Sequence, residues 1–484
     1  MQLLGHRPER LIPGFFRGPR AWWGLLGALV ALLPAAWMWG FTVDDALITV
    51  RYARHLAAGA GWRFDRGGPS TDGVTPLPYP VILAPLAWGT ALEVLGRARV
   101  LGVLCWTSAG AAVGGATTEV PAGARAAALA VLGLSVPVAA YAASGMETGL
   151  AMALATWAAV ASDRPRTAAV LAGLAASLRP EMAPWACTLA AGVAIVRRWS
   201  PGACAANAGV ALLPFGACVA IRVIAWGRPA PLALLAKPSD IEHGLVYASA
   251  ACVVTLTPIL ALAPRALART PRALVLVLAA LVHVAAVVVV GGDWMPLARL
   301  MVPVVPSLAY AGALAATNAR PLATAVRSVL ALGLGVFLLA RGGSDARTVG
   351  ADRVALVAEA RPELASVHRV AALDIGWVSA ATEADIIDLA GLTDPEIAAL
   401  PGGHTSKRVD ARFLLARDPD ALLLYLPGGL PDGLPSWRSA QPGRIVEARL
   451  MDEDTLAHRF TPRAWLPLGP HGAGYILLLR SRPQ

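Results

Sequence analysis

The chain has 484 residues, of which 56% are hydrophobic and only 15% charged, and its mean hydropathy is +0.59. The charge is uneven: residues 1–340 carry 25 Lys/Arg and 13 Asp/Glu, whereas residues 341–484 carry 16 and 18. A soluble domain is about a quarter charged, so the first part has membrane composition and the second soluble composition, which excludes an ordinary cytosolic enzyme, a disordered chain and a disulfide-framework protein.

A spanning helix needs about 20 mostly apolar residues, and the first such run is 21–40. Arg7, Arg10, Arg17 and Arg20 precede it against a single Glu9. The positive-inside rule therefore predicts a cytoplasmic N-terminus, with residue 41 emerging outside; a cleaved signal peptide is the alternative. Further apolar segments lie near 76–95, 100–117, 126–141, 146–161, 167–178, 182–196, 205–225, 246–264, 273–291, 300–317 and 323–340. Basic loops at Arg164/Arg166, Arg197/Arg198, Arg265/Arg269/Arg272 and Arg320/Arg327 belong inside by the same rule. Loop parity then requires one segment before residue 142 not to cross. The weakest is 76–95, which carries Pro76, Pro78, Pro80 and Pro85, and proline removes a donor and kinks a helix. It is expected to lie at the outer interface or to re-enter, leaving eleven spans; a short unspanned piece around 118–141 is the alternative.

The tail alternates short apolar and polar runs. Strands are predicted at 370–374, 385–389, 421–426 and 474–479, and helices at 349–360 and 409–417. The fold class expected is thus an α-helical polytopic membrane protein (1–340, with a first outer loop at 41–99) followed by a small periplasmic α/β domain (341–484).

The net charge of +10 is spread over short loops between apolar segments, which is the pattern of topology charges and not of a nucleic-acid patch. The five cysteines lie in or beside apolar segments and read as small buried hydrophobes with no metal-ligand spacing. Ten of the 13 acids of the first part fall outside or at outer helix ends under this topology, which suggests a polar chamber on the outer face. The strongest feature is 41–75, FTVDDALITVRYARHLAAGAGWRFDRGGPSTDGVT. Asp44 and Asp45 follow the first span immediately, and carboxylates at membrane depth are costly and usually functional. One of them could serve as a helix N-terminal acid, but that does not account for both, nor for Arg51, Tyr52, Arg54 and His55 on the following turns.

That run resembles the first outer loop of bacterial C-type integral-membrane glycosyltransferases that use polyprenyl-phosphate sugars, in particular the group of the mycobacterial terminal arabinofuranosyltransferase. Further likenesses follow in order: SGMETGL (144–150), SLRPE (177–181), WGRPAPLALLAK (226–237), GGDWMPLARLMVPVVP (291–306) and DIIDLAGLTDPEIA (385–398). Departures occur where relatives have Glu-Gly-Tyr-Thr-Asn-Pro and this chain has Asp72, Gly73, Val74, Thr75 and Pro76, and where Pro-Asn-Thr is replaced by Pro231, Leu232 and Ala233.

The resemblance implies an enzyme of cell-envelope biogenesis in the bacterial inner membrane. It would move a sugar from a polyprenyl-phosphate donor to a hydroxyl of a glycan, lipid or protein acceptor, with inversion. Such chemistry needs a general base, expected at Asp44, with Asp45 holding the acceptor or a divalent cation (Mg or Ca). The leaving phosphate needs cations, expected among Arg51, Arg179, Lys237 and Arg299. Tyr52, Asp72, Glu147, Glu181 and Asp293 are expected to line the substrate site. Structural readings stand beside these. Arg51 could snorkel, Arg179 and Glu181 could form an ion pair, Glu147 or Asp293 could cap, Arg299 could anchor an outer helix end, and His283 reads as a hydrogen-bonded core residue. A flippase or transporter of a lipid-linked sugar, or a catalytically inactive relative, are the alternative functions.

Overall fold

The computed structural model describes residues 18–255, 263–430 and 433–481. Arg7, Arg10 and Arg17, on which the expected orientation partly rests, and the middle of the 246–264 segment lie outside them. The first part is helical throughout: α1 (Pro19–Trp37), α2 (Asp44–Ala57), α3 (Pro78–Leu83), α4 (Ala91–Ala116), α5 (Ala122–Gly133), α6 (Val136–Ala143), α7 (Thr148–Val160), α8 (Pro165–Leu178), α9 (Ala183–Val196), α10 (Pro201–Trp226), α11 (Leu232–Ala236), α12 (Ile241–Val254), α13 (Pro264–Ala268), α14 (Pro271–Val289), α15 (Val305–Ala316) and α16 (Pro321–Glu363).

Local chemistry sets several boundaries. Thr90 and Glu93 form a reciprocal capping box at the start of α4, which satisfies two orphan backbone donors. Ser200 caps α10 at one end and Gly227 closes it in the left-handed conformation at the other, as helix C-termini favour. Gly27 of α1 meets Gly110 and Gly114 of α4 with no room for a Cβ on any of the three. Small residues let two apolar helices approach closely where no water drives them together.

Among the described residues four helices are long and apolar enough to cross a membrane: α1, α10, α14 and α16. The count is six if α3 with α4 and α5 with α6 are each one bent span. The bends are 111° and 54° respectively. The first bend falls at the proline-rich segment expected to lie flat or re-enter, and the second falls in the piece around 118–141. α7, α9, α12 and α15 are shorter apolar helices.

The tail begins with a difference from expectation. The segment 323–340 and the helix at 349–360 are one continuous helix, α16, of 43 residues, about 65 Å at 1.5 Å per residue. Gly342 and Gly343 suggest a break, yet neither leaves the helical path. Where α16 passes the turn after α1, the Gly350 N–H donates to the Gly40 carbonyl at 2.7 Å.

After α16 come β1 (Arg369–Ala372), α17 (Ile375–Ala381), β2 (Asp385–Asp388), α18 (Pro395–Ala399), α19 (Ala411–Ala416), β3 (Ala421–Leu426), α20 (Ile445–Asp452), α21 (Asp454–Arg459), β4 (Phe460–Pro467) and β5 (Gly474–Arg480). They build one five-stranded sheet of order β2-β1-β3-β5-β4. β1 is parallel to β2 and β3, while β5 is antiparallel to β3 and β4. The four expected strands are present. β4 was not expected, because Pro462 and Pro467 argue against a strand. It lies at the sheet edge with its register shift at Pro462, the kind of place where a strand tolerates proline. Asp388 and Asp394 hold turns. Asp388 accepts from the N–H groups of Ala390, Gly391 and Thr393, and Asp394 caps α18 through Glu396 and Ile397.

Candidate active site

Asp44 and Asp45 open α2, with Asp44 against the first turn of α17 in the tail. Asp44 joins three parts of the chain. Its carboxylate accepts from the N–H groups of Gly376 (2.7 Å) and Trp377 (2.9 Å) in the first turn of α17, and pairs with Arg353 of α16 at 2.9 Å. Burial, reinforced by Asp374 and Asp45, lifts this carboxyl to about 6 against the pull of Arg353 and the Gly376 N–H. Asp45 is freer: its side chain is 29% exposed, and Arg299 Nη1 lies 3.7 Å from Oδ2.

Arg299 lies on the segment between α14 and α15. Its Nε is 2.6 Å from Asp293 Oδ2. Leu297 and Ala298 reach it through left-handed backbone, with φ of 59° and 56°. Such geometry is strained for residues other than glycine, at roughly 1–2 kcal/mol each, and here three side chains hold it. The Tyr141 hydroxyl donates to the Pro296 carbonyl (2.7 Å) and the Leu300 N–H donates to the Tyr247 hydroxyl (3.1 Å). His283 Nε2 sits 2.7 Å from the Leu300 carbonyl. His283 is thus a hydrogen-bonded core residue that shapes this turn.

Beside Arg299 is a buried triad. Arg179 Nη1 pairs with Glu147 at 2.8 Å and its Nε with Glu181 at 2.7 Å. This is the ion-pair reading of Arg179 and Glu181; Glu147 stands just before α7, but its side chain pairs with Arg179 and makes no capping hydrogen bond. The side chain of Lys237, at the end of α11, has no ion-pair or hydrogen-bond partner among the described residues. It acts electrostatically on both Asp293 and His404. Against the cost of burial, Arg299, Lys237 and Arg179 hold the Asp293 carboxyl below its ordinary value.

The tail supplies the roof, and no roof residue was expected from the sequence. Arg444 Nη2 pairs with Asp374 at 2.6 Å, and the Tyr475 hydroxyl donates to the same carboxylate. Burial and the neighbouring Lys237 push the His404 imidazole down to about 4, so it is neutral. Trp294 is 68% exposed, stacks on His243 with ring centres 4.4 Å apart, and lies 5.8 Å from His404. One sequence signal could have found Asp374: it follows the carboxyl end of a parallel strand, where ligands of open α/β sheets bind.

Three expected residues lie elsewhere. Arg51 does not face a phosphate position. Its guanidinium is buried and donates to the carbonyls of Phe64, Thr382 and Ala384 and to Asp65, so it fastens the loop after α2 to the tail. The Tyr52 hydroxyl is buried against Thr71 and the Gly73 N–H. Asp72 pairs with Arg222 of α10 at 2.7 Å, both side chains being almost wholly buried. The lone arginine inside the apolar run 205–225 was the missed signal, since an ionisable residue in such a run calls for a partner.

Among the described residues no group of three or more His, Cys, Asp or Glu side chains is placed to hold a metal ion. The acids nearest the chamber, Asp45 and Asp293, both face Arg299, so this donor set does not fit a resident divalent cation.

Residues 346–471 match a domain of unknown function, DUF8728. The match covers the second half of α16 and the sheet through β4, and ends before β5. No curated protein and no solved structure matches the chain.

Proposed function

We propose that the chain is a glycosyltransferase that moves a sugar from a polyprenyl-phosphate donor to an acceptor hydroxyl at the outer face of a bacterial inner membrane. The observation that carries this reading is the company kept by Asp45. Its partly exposed carboxylate lies 3.7 Å from Arg299, which in turn pairs with Asp293, and the Lys237 side chain acts on Asp293 electrostatically. A carboxylate near a hydroxyl can take its proton, and nearby cations can receive a leaving phosphate.

The reaction is a single displacement. The acceptor oxygen forms a bond to the anomeric carbon, the bond from that carbon to the phosphate oxygen breaks, and configuration inverts. The acceptor proton passes to Asp45, and the polyprenyl phosphate leaves toward Lys237 and Arg299. Asp44, held by three donors, acts as a positioning residue. It fixes the start of α2 and the roof in one geometry.

The reading includes eleven spans, a cytoplasmic N-terminus and a periplasmic tail. Contacts between loops support it. Residues assigned to the inner face meet one another, in Arg20 with Glu119, Arg197 with the Asp163 carbonyl, and Asn318 with the Arg269 carbonyl. Residues assigned to the outer face do likewise, in Asp45 with Arg299 and Glu147 with Arg179.

The test is transfer from a radiolabelled polyprenyl-phosphate sugar in membranes containing the full chain. Asp45→Asn should lower transfer by about 10²–10⁴-fold, the range for loss of a general base, at unchanged protein level. Transfer equal to the parent chain would overturn the assignment.

A further inference from the structure

A second charged recess lies away from the chamber. It is a cavity of about 440 Å³ lined by Arg54, His55, Arg66, Pro85, Trp88 and Glu383, among others. It sits at the last turn of α2, ten residues from Asp44 and so about 15 Å along the helix axis. It shares no residue with the chamber.

Its floor is the elbow between α3 and α4. There Val81, Ile82 and Trp88 are 57%, 39% and 66% exposed, and the Arg97 guanidinium covers the Trp88 ring at 3.2 Å. Exposed apolar side chains with a tryptophan and a stacked arginine, on a short helix lying across the end of an apolar one, mark the level of lipid headgroups. The cavity opens at that level.

The charge inside it is not balanced. Arg66 is exposed, with no ion-pair or hydrogen-bond partner among the described residues. Arg54 uses one nitrogen, Nη1, on Glu383 at 2.9 Å, and that carboxylate is itself 66% exposed. Burial pushes the His55 imidazole below its ordinary value, and its Nδ1 lies 2.9 Å from the Arg63 carbonyl. Two guanidinium groups therefore line the cavity with one carboxylate, which pairs with Arg54 alone. Arginine matches phosphate oxygens in pairs, and the volume lies within the roughly 300–1,000 Å³ typical of small-ligand sites.

We propose that this cavity binds the phosphate group of an anionic molecule, with an anionic lipid headgroup as its occupant. Arg66 and Arg54 hold the phosphate oxygens, Trp88 and the α3 elbow face the glycerol and the first acyl carbons, and Glu383 competes with the ligand for Arg54. The site stands on its own geometry and does not depend on the proposed transfer reaction.

The experiment is native mass spectrometry of the delipidated full chain in detergent, titrated separately with phosphatidylglycerol, phosphatidylcholine and inorganic phosphate. Phosphatidylglycerol should bind more tightly than phosphatidylcholine. Arg66→Ala should weaken it about tenfold, the effect of losing one charged hydrogen bond. Glu383→Gln should tighten it, a gain that a purely structural role for Glu383 would not produce. If inorganic phosphate binds as well as the anionic lipid and responds equally to Arg66→Ala, the anion site stands and its occupant is free phosphate. If neither anion responds to Arg66→Ala or to Glu383→Gln, the proposal is overturned. Arg66 is exposed and unpartnered, so its loss leaves folding intact.

Discussion

The Gly376 N–H donates to the Asp44 carboxylate across 332 residues of sequence, and a Cβ on Gly376 would collide with the Asp44 backbone oxygen. The start of α2 and the tail domain therefore meet backbone to backbone beside Asp45. Gly376→Ala should push α17 off α2 and cost about 1–3 kcal/mol, the usual cost of overpacking a close contact. Thermal unfolding of the detergent-solubilised chain reads this directly. An unchanged melting temperature would mean that the two parts are not clamped here.

Lys237 has no partner to replace, so its removal should cost little in stability. If it receives the leaving phosphate, Lys237→Ala should raise KM for the lipid-phosphate donor about tenfold, as expected for one lost charged contact. KM for the acceptor should not move. A rise confined to the acceptor would place Lys237 on the wrong substrate.

Much of the architecture was legible because hydrophobic runs and loop charges are direct physical signals. Each segment assigned as a span contains helix among the described residues, but 126–141 is broken at Leu134 and Ser135 and bent by 54°, and four to six helices are long and apolar enough to cross on their own. Four strands of the tail follow from short apolar runs between turn residues. What escaped depended on context that no local pattern carries. Pro462 and Pro467 disguised β4, since an edge strand tolerates what a central one does not. Gly342 and Gly343 hid the continuity of α16, since glycine has low helix propensity, yet Gly343 packs against Trp37 and the helix runs on through both. In the candidate site, Asp45, Arg299, Asp293 and Lys237 were visible as outer-face charges. Arg353, Asp374, His404 and Arg444 were not, because nothing in the order of residues says which face of the tail closes over the chamber. Arg51 and Asp72 were visible as charges, but their partners, the Thr382 and Ala384 carbonyls and Arg222, lie far along the chain.

Glu447 gives the tail an unusual pH response. Its side chain is buried, accepts from the Tyr425 N–H, and has Arg444 at 3.8 Å. Burial lifts its carboxyl to about 7 despite Arg444. The folded chain thus keeps a proton that the unfolded chain releases near pH 4.3. Between about pH 4.5 and 7 the unfolded state binds fewer protons, so stability falls as pH rises and levels off above 7. The loss should be about 1–3 kcal/mol over that window. The difference between melting temperatures at pH 5 and 7.5 should shrink in Glu447→Gln, the remainder coming from Asp44, Asp65 and Asp388, whose carboxyls burial also lifts, and a slope identical to the parent chain would count against a protonated Glu447.

The Asp72–Arg222 pair decides whether Asp72 serves substrate or scaffold. Both side chains are almost wholly buried, and Arg222 also donates to the Val74 and Thr75 carbonyls. Asp72→Asn leaves a buried guanidinium without its counter-charge, which should cost about 3–5 kcal/mol. Replacing both partners, as Asp72→Asn with Arg222→Met, removes the stranded charge and should recover most of that loss, because a buried ion pair is worth little against an apolar substitute. If the double variant regains stability and also transfers sugar, Asp72 is a brace between the first outer loop and α10. If it regains stability while transfer stays lost, Asp72 touches substrate, and the buried pair is a resting arrangement that substrate breaks. The two readouts together, melting temperature and transfer rate, separate the roles in one pair of variants.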